Sequence, residues 1–122
     1  MCKALLVDDE KAILNFLTLM LEMDGFAVVT AGSAAAGAAM LAREQFDVVI
    51  TDLRMESPLA GFEVVKAARQ TAPRPVIVVL TAFPVPAADW KDAGADALLV
   101  KGTNPTGIPK QLKALLKDRV AC

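Results

Sequence analysis

The chain has 122 residues, which suits one domain with a single hydrophobic core. Its formal net charge of -1 at pH 7 and its pI of about 5.3 give no electrostatic reason to bind nucleic acid or a membrane surface. The sequence has no histidine and no CxxC motif, which excludes most zinc sites, catalytic triads and histidine acid–base chemistry. Carboxylates, hydroxyls and lysines are left to carry any chemistry.

Hydrophobic residues make up 55% of the chain, yet the sequence predicts neither a membrane span nor a signal peptide. Charged residues, glycine or proline interrupt every apolar run before it reaches the length of about 18 residues that a span needs. The apolar run in the N-terminal stretch "MCKALLVDDE" is too short for a signal peptide. We therefore expect a cytoplasmic protein.

Strand and helix patterns alternate along the first half of the chain. Residues 3–8 and 26–30 are predicted strands, and residues 10–24 between them carry apolar groups at helical spacing before Gly25. Ser33 is predicted to cap an alanine-rich helix that ends near Arg43. Residues 46–51, "FDVVIT", form the third strand, and so continuous an apolar run is typical of a strand buried on both faces.

The alternation continues through the second half. A helix is predicted over about 62–71, a strand over 75–81, a short helix over about 87–93 and a strand over 96–100. Pro84 and Pro86 delay the fourth helix, and Pro109 suits the first turn of a last helix that ends near Arg119. The pattern predicts an α/β fold: a single-domain, five-stranded parallel sheet of flavodoxin-like order 2-1-3-4-5, with a shortened fourth helix.

Polar residues stand at the carboxyl ends of these strands. Asp8 and Asp9 end the first, Asp52 the third and Thr81 the fourth, and Lys101 follows the fifth. Ligands bind beyond these ends where strand order reverses, so the three carboxylates should converge there. Their mutual repulsion would favour a bound cation, and an all-oxygen cluster suits Mg²⁺.

Each of these residues also has a purely structural interpretation. Asp8 and Asp9 could cap a helix, Asp52 could form an Asx turn, Thr81 could simply end a strand, and Lys101 could be solvated. Their joint placement at successive strand ends favours a functional site.

Four stretches, "LLVDDE", "DVVITDLRM", "VIVVLTA" and "AGADALLVK", resemble the signature segments of bacterial two-component response-regulator receiver domains of the CheY-like superfamily. The resemblance spans the chain, so residues 1–122 are interpreted as one receiver domain. It implies that Asp52 is the phosphoacceptor. Thr81 would hydrogen-bond the phosphoryl group, and Lys101 would pair with it.

The resemblance also implies a Mg²⁺ site. Asp9, Asp52 and the backbone carbonyl of Arg54 would be direct protein ligands, whereas Asp8 would act mainly through water. The donor would be a phosphohistidine on a sensor histidine kinase or a histidine phosphotransfer protein, and the output an unknown protein or domain. The chain would catalyse only its own phosphorylation and dephosphorylation, and would bind neither nucleic acid nor membrane directly.

Two departures from the family pattern concern the fifth strand. Gly102 follows Lys101 where the family usually has a cis proline, so we expect a trans or rearranged 101–102 peptide. Leu98 occupies the usual tyrosine or phenylalanine position. Together with the shortened fourth helix, Leu98 would alter the surface that receivers commonly use for output.

Two further departures lie beside the predicted pocket. Glu56 replaces the usual proline in "MESPLAG"; a solvated loop acid is the favoured interpretation, and a partner for Mg²⁺ or Lys101 the alternative. By the resemblance, Arg54 and Phe83 occupy the positions that flank the attacking water in the family, and two bulky groups there suggest slow dephosphorylation. The small outer face of the second helix, with Ala35 and Ala39, is explained by helix propensity, and a dimer surface there is a second hypothesis.

Other functions remain to be weighed against phosphorylation-controlled signalling. A phosphorylation-independent interaction module with a degenerate switch would fit Leu98, Gly102 and the two prolines, but not the intact site. A haloacid-dehalogenase-type phosphatase needs a general acid where Arg54 stands, and a cobalamin-binding domain of similar topology would need a histidine ligand. The sequence leaves open whether the chain acts alone or is part of a longer protein.

Overall fold

The computed structural model describes residues 2–82, 85–101 and 107–117. Strands and helices alternate throughout this part of the chain. Strands β1 to β5 are Lys3–Val7, Ala27–Ala31, Val48–Thr51, Val76–Thr81 and Ala97–Val100. Helices α1 to α5 are Lys11–Met23, Ala34–Arg43, Gly61–Arg69, Ala87–Ala93 and Ile108–Leu116.

The five strands form one parallel sheet in the order β2-β1-β3-β4-β5, which confirms the predicted topology. Strand order reverses at β1 and β3, which are hydrogen-bonded neighbours from Ala4 opposite Val48 to Val7 opposite Thr51. Their carboxyl ends therefore open side by side at the switch point, where open α/β sheets bind ligands.

Alternate residues of each central strand point into two hydrophobic layers, one on each face of the sheet. On β1, Leu5 and Val7 join the layer that contains buried residues of α2 and α3, and α4 packs against the same layer through Trp90. Ala4 and Leu6 point into the opposite layer, with buried residues of α1 and α5. Because helices cover both faces of the sheet, strands β3 and β4 are buried along their whole length.

The helix boundaries follow the capping and breaking residues of the sequence. The Ser33 hydroxyl accepts a hydrogen bond from the Ala36 amide at 3.0 Å, which confirms the predicted N-cap of α2. Helix α4 has only seven residues and ends at Gly94, whose φ of 104° lies in the left-handed region. Pro109 lies in the first turn of α5, as predicted.

Some sequence predictions fall outside the part of the chain that the structure describes. They concern Phe83, Pro84, the Lys101–Gly102 peptide and the end of the last helix at Arg119. Among the described helices, none combines the length and the apolar character that crossing a membrane requires.

Candidate functional site

The backbone of the sheet places two carboxylates next to each other at the switch point. The Asp8 amide donates to the Ala31 carbonyl at 3.1 Å, and the Asp52 amide donates to the Val7 carbonyl at 2.9 Å. Each aspartate is thus held at the end of its strand by a hydrogen bond to the neighbouring strand. Asp8 is 2% exposed and Asp52 is 7% exposed, so both side chains project into a largely dehydrated site.

Lys101 joins these two carboxylates. Its Nζ atom lies 2.6 Å from Asp8 Oδ2 and 3.0 Å from Asp52 Oδ2, and its amide donates to the Thr81 carbonyl at 2.9 Å. Three charged residues that are far apart in sequence therefore meet at the carboxyl ends of β1, β3 and β5. Of the three carboxylates expected to converge, the structure brings Asp8 and Asp52 together through Lys101.

Burial and charge act in opposite directions on this cluster. Burial raises the pKa of the Asp52 carboxyl and outweighs the contact with Lys101, which lowers it; the Asp8 charge raises it further. Burial lowers the pKa of Lys101, but hydrogen bonds and charge from Asp8 and Asp52 leave it above its usual value. Lys101 is therefore a permanent cation at neutral pH.

The backbone and side chain of Asp52 are fixed by further hydrogen bonds. Asp52 Oδ1 accepts from the Leu53 amide at 2.7 Å, so each carboxylate oxygen has its own donor. The Thr51 hydroxyl, fully buried, donates to the Asp52 carbonyl at 2.8 Å. Thr51 had been interpreted only as part of the strand, and its local bond to the backbone had no sequence signal.

Asp9 lies at the outer edge of the site. It is exposed and forms an acidic cluster with Asp8 and Glu10, whose ligand oxygens lie within 4.8 Å of one another. Asp52 is not a member of this cluster but reaches Asp8 through Lys101. An all-oxygen donor set of this kind fits Mg²⁺.

One carboxylate of this cluster, that of Asp8, also serves the start of α1. Asp8 Oδ1 accepts from the Glu10 amide at 3.0 Å, which agrees with the capping interpretation of Asp8. Glu10 is the N-cap residue, and its own side chain makes no capping bond. The strand-end pattern of the sequence indicates Asp8 and Asp9 but not Glu10.

The other predicted site residues flank the cluster. Thr81 is fully buried at the end of β4. Arg54 is exposed on the loop after Asp52. Leu98 and Trp90 are both partly buried against the layer formed with α2 and α3.

The loop after β3 approaches Asp52 closely at Gly61. The Gly61 amide donates to the Leu53 carbonyl at 2.9 Å, and a Cβ atom at Gly61 would lie 2.1 Å from the Asp52 carbonyl oxygen. Only glycine fits without a backbone shift. The sequence had marked Gly61 only as the end of a loop.

Glu56 is an exposed loop acid, as the sequence suggests, and the structure shows no contact between Glu56 and Lys101. Glu56 Oε1 accepts from the Ala34 amide at 2.9 Å, and Oε2 accepts from the Ala35 amide at 3.3 Å. These hydrogen bonds, chiefly the one from the Ala34 amide, lower the pKa of the Glu56 carboxyl. Glu56 therefore caps α2 from a separate loop, because the first amides of a helix lack partners within it.

The fold and the site together define a flavodoxin-like signalling domain with an acidic switch-point cluster and a lysine. A model of the response regulator receiver domain matches residues 4–113. The chain belongs to this family, the receiver domains of two-component response regulators. Its residues of interest from Asp8 to Lys101 all lie inside the matched region.

Curated relatives are transcriptional regulators that are longer than this chain. The chain is 40% identical over 105 residues to the alginate biosynthesis transcriptional regulatory protein AlgB of Pseudomonas aeruginosa, covering 84% of this chain and 23% of that protein. It is 33% identical over 119 residues to the transcriptional regulatory protein CpxR of Escherichia coli, covering 96% of this chain and 50% of CpxR. The chain thus spans about a quarter to a half of these two relatives.

Solved structures share the fold over almost the whole chain. The chemotaxis response regulator CheY4 of Vibrio cholerae superimposes with a TM-score of 0.85 at 34% identity, covering 95% of this chain and 99% of CheY4. The response regulator TrrA of Thermotoga maritima, in complex with Mg(2+)-BeF, gives a TM-score of 0.83 at 29% identity, covering 95% of this chain and 100% of TrrA.

Proposed function

We propose that residues 1–122 form a phosphoacceptor domain in which Asp52 receives a phosphoryl group from a phosphohistidine. One observation supports this most strongly: Asp52 is a buried carboxylate at the mouth of β3, with Lys101 Nζ 3.0 Å from one of its oxygens. A buried carboxylate beside a fixed cation, at the edge where ligands enter, suits a nucleophile.

The proposed reaction transfers the phosphoryl group in line. An Asp52 oxygen attacks phosphorus, the bond from phosphorus to the histidine nitrogen of the donor breaks, and an aspartyl phosphate forms. Lys101 lies where it can neutralise charge on the phosphoryl oxygens, and the Thr81 hydroxyl would donate a hydrogen bond to one of them.

We assign the Mg²⁺ ligands to Asp9, Asp52 and the backbone carbonyl of Arg54, with Asp8 acting through water. The acidic cluster of Asp8, Asp9 and Glu10 supports the roles of the two aspartates in this assignment, and Lys101 links Asp8 to Asp52 at the same edge of the sheet. Bound Mg²⁺ would neutralise phosphoryl oxygens during transfer. Asp8 would meanwhile keep Lys101 oriented, since its Oδ2 atom lies 2.6 Å from Lys101 Nζ.

The proposed partners follow from this chemistry. The donor is a cytoplasmic sensor histidine kinase or histidine phosphotransfer protein, and the chain acts on no substrate other than its own phosphoryl group. The output passes to another protein or to a further domain. Direct nucleic-acid binding is not proposed for these residues, because their net charge is -1. The degenerate-module alternative is not favoured, since the Asp8, Lys101 and Asp52 cluster is intact.

Beryllofluoride, a stable mimic of a carboxylate-bound phosphoryl group, tests the proposed acceptor without any kinase. We expect the protein to give a bound-fluoride signal in fluorine NMR that requires both Mg²⁺ and beryllofluoride. The signal should vanish in Asp52→Asn, which removes the nucleophile while keeping side-chain size. Retention of the signal in that variant, or its absence from the wild type, would refute Asp52 as the acceptor.

A further inference from the structure

Glu56 ties the loop after Asp52 to the N-terminus of α2, which lies in the same layer as α3. It lies four positions after Asp52 in sequence and 22 residues from the amide that it binds most closely, that of Ala34. The side chain therefore makes a long-range connection between the loop 52–60 and the N-terminus of α2. Both its carboxylate oxygens are used, at 2.9 Å and 3.3 Å.

Helix α2 supplies no acidic residue of its own at this end. Its first turn contains no aspartate or glutamate, and Ser33 satisfies the Ala36 amide but not those of Ala34 and Ala35. A carboxylate that accepts from two unpaired amides at the positive end of a helix is favourably placed. Two hydrogen bonds from consecutive amides therefore hold the Glu56 carboxylate at this end of α2.

The rest of the loop is a compact turn whose two ends meet near Asp52. The Gly61 amide donates to the Leu53 carbonyl at 2.9 Å, and the Met55 amide donates to the Ser57 carbonyl at 3.1 Å. Arg54 lies in this turn, between Leu53 and Met55. Glu56 joins this segment to α2, so a shift of the Arg54 peptide would have to stretch the bonds at Ala34 and Ala35.

We propose that Glu56 is a positioning residue for the metal-dependent chemistry of Asp52, because it fixes the Arg54 carbonyl relative to the two aspartates. The identity of that carbonyl as a Mg²⁺ ligand rests on the proposed function. Glu56 touches neither metal nor phosphoryl group and acts through the backbone of the loop. Occupation of the site and order at the start of α2 are consequently coupled.

A Mg²⁺ titration without phosphodonor tests this role. Backbone amide shifts of the loop 52–57 would be followed by NMR, and the melting temperature of each protein measured alongside. In Glu56→Ala we expect the apparent dissociation constant for Mg²⁺ to rise about three- to tenfold, below the usual loss for partners that touch a metal ligand directly. Glu56→Gln keeps the shape and one acceptor oxygen, so its constant should lie between those of wild type and Glu56→Ala.

Glu63→Ala is the matched control. Glu63 lines the same groove between α2 and α3 and carries the same charge, but it stands on α3 and not on the loop. We expect its Mg²⁺ constant to stay within twofold of wild type. Equal constants for Glu56→Gln, Glu56→Ala and wild type, with only a lower melting temperature, would reduce Glu56 to a helix cap and overturn the proposal. If Glu56→Ala does not fold, the Mg²⁺ constant of Glu56→Gln decides by itself, and a value equal to that of wild type overturns the proposal.

The titration and phosphorylation results distinguish this inference from the proposed function. If the Mg²⁺ dissociation constant is unchanged in the Glu56 variants and the protein still accepts a phosphoryl group, only the inference about Glu56 is overturned. Mg²⁺ binding that depends on Glu56, in a protein that accepts no phosphoryl group, supports the inference and overturns the acceptor function. A wild type that does not bind Mg²⁺ at all overturns the positioning role and the metal assignment together.

Discussion

Replacing Lys101 by methionine is expected to lower the free energy of unfolding by about 2–4 kcal/mol in Mg²⁺-free buffer at pH 7. The change keeps most of the apolar stem but leaves Asp8 and Asp52, 2% and 7% exposed, without the cation between them. Because the pKa of Lys101 is raised, its contribution is complete below the ordinary lysine pKa while the two carboxylates are ionised, and it is lost as the pH rises through the raised pKa. Urea unfolding with and without Mg²⁺ measures the effect.

The matched control is Lys113→Met, which breaks another lysine–aspartate pair. Lys113 Nζ lies 3.1 Å from Asp24 Oδ2, but the two side chains are 51% and 36% exposed. Water screens such a pair, so its loss should cost no more than about 1 kcal/mol. Mg²⁺ should restore more stability to Lys101→Met than to this control. Equal destabilisation of the two variants would show that Lys101 does not hold the buried carboxylates together.

Replacing Gly61 by alanine is expected to cost about 3 kcal/mol or more in unfolding free energy. The new Cβ atom would lie 2.1 Å from the Asp52 carbonyl oxygen and 2.7 Å from the Leu53 Cα atom. Both are backbone atoms, so relief requires a shift of the peptide that carries the nucleophile. We therefore expect slower phosphorylation by acetyl phosphate as well as a lower urea midpoint.

Gly32→Ala provides the comparison for Gly61→Ala. A Cβ atom at Gly32 would meet nothing within 4 Å, so the same chemical change should alter the unfolding free energy by less than about 1 kcal/mol. If Gly61→Ala unfolds at the same urea concentration as Gly32→Ala and the wild type, the loop is free to move away from Asp52. The inference that the backbone around Asp52 is held rigidly would then be wrong.

The switch-point cluster could be predicted because a parallel sheet leaves little freedom. Once β1 and β3 are neighbours, residues that follow them must emerge at the same edge, and Asp8 and Asp52 do so. Lys101 follows β5 by the same logic, and its long side chain spans the remaining distance to both carboxylates. Topology and strand-end chemistry were sufficient for these three positions.

Glu56, Thr51 and Gly61 could not be predicted in this way. The Glu56 contact joins a loop to a helix 22 residues earlier, and its geometry depends on loop conformation that has no periodic sequence signal. The Thr51 bond depends on one side-chain rotamer. The need for glycine at position 61 arises because a Cβ atom there would lie 2.1 Å from the Asp52 carbonyl oxygen. Each of these three features depends on tertiary distances that a sequence pattern does not determine.

Intact-mass spectrometry after incubation with acetyl phosphate and Mg²⁺ tests the central claim most directly. We expect one phosphoryl group on the wild type and none on Asp52→Asn, with Trp90 fluorescence reporting any response of α4. Asp47→Asn is the control, because Asp47 lies at the other end of the same strand, where it accepts a hydrogen bond from the Lys3 amide. It should be phosphorylated like the wild type. A phosphoryl group on Asp52→Asn, or none on the wild type with this donor, would contradict the assignment of Asp52 as a Mg²⁺-dependent phosphoacceptor.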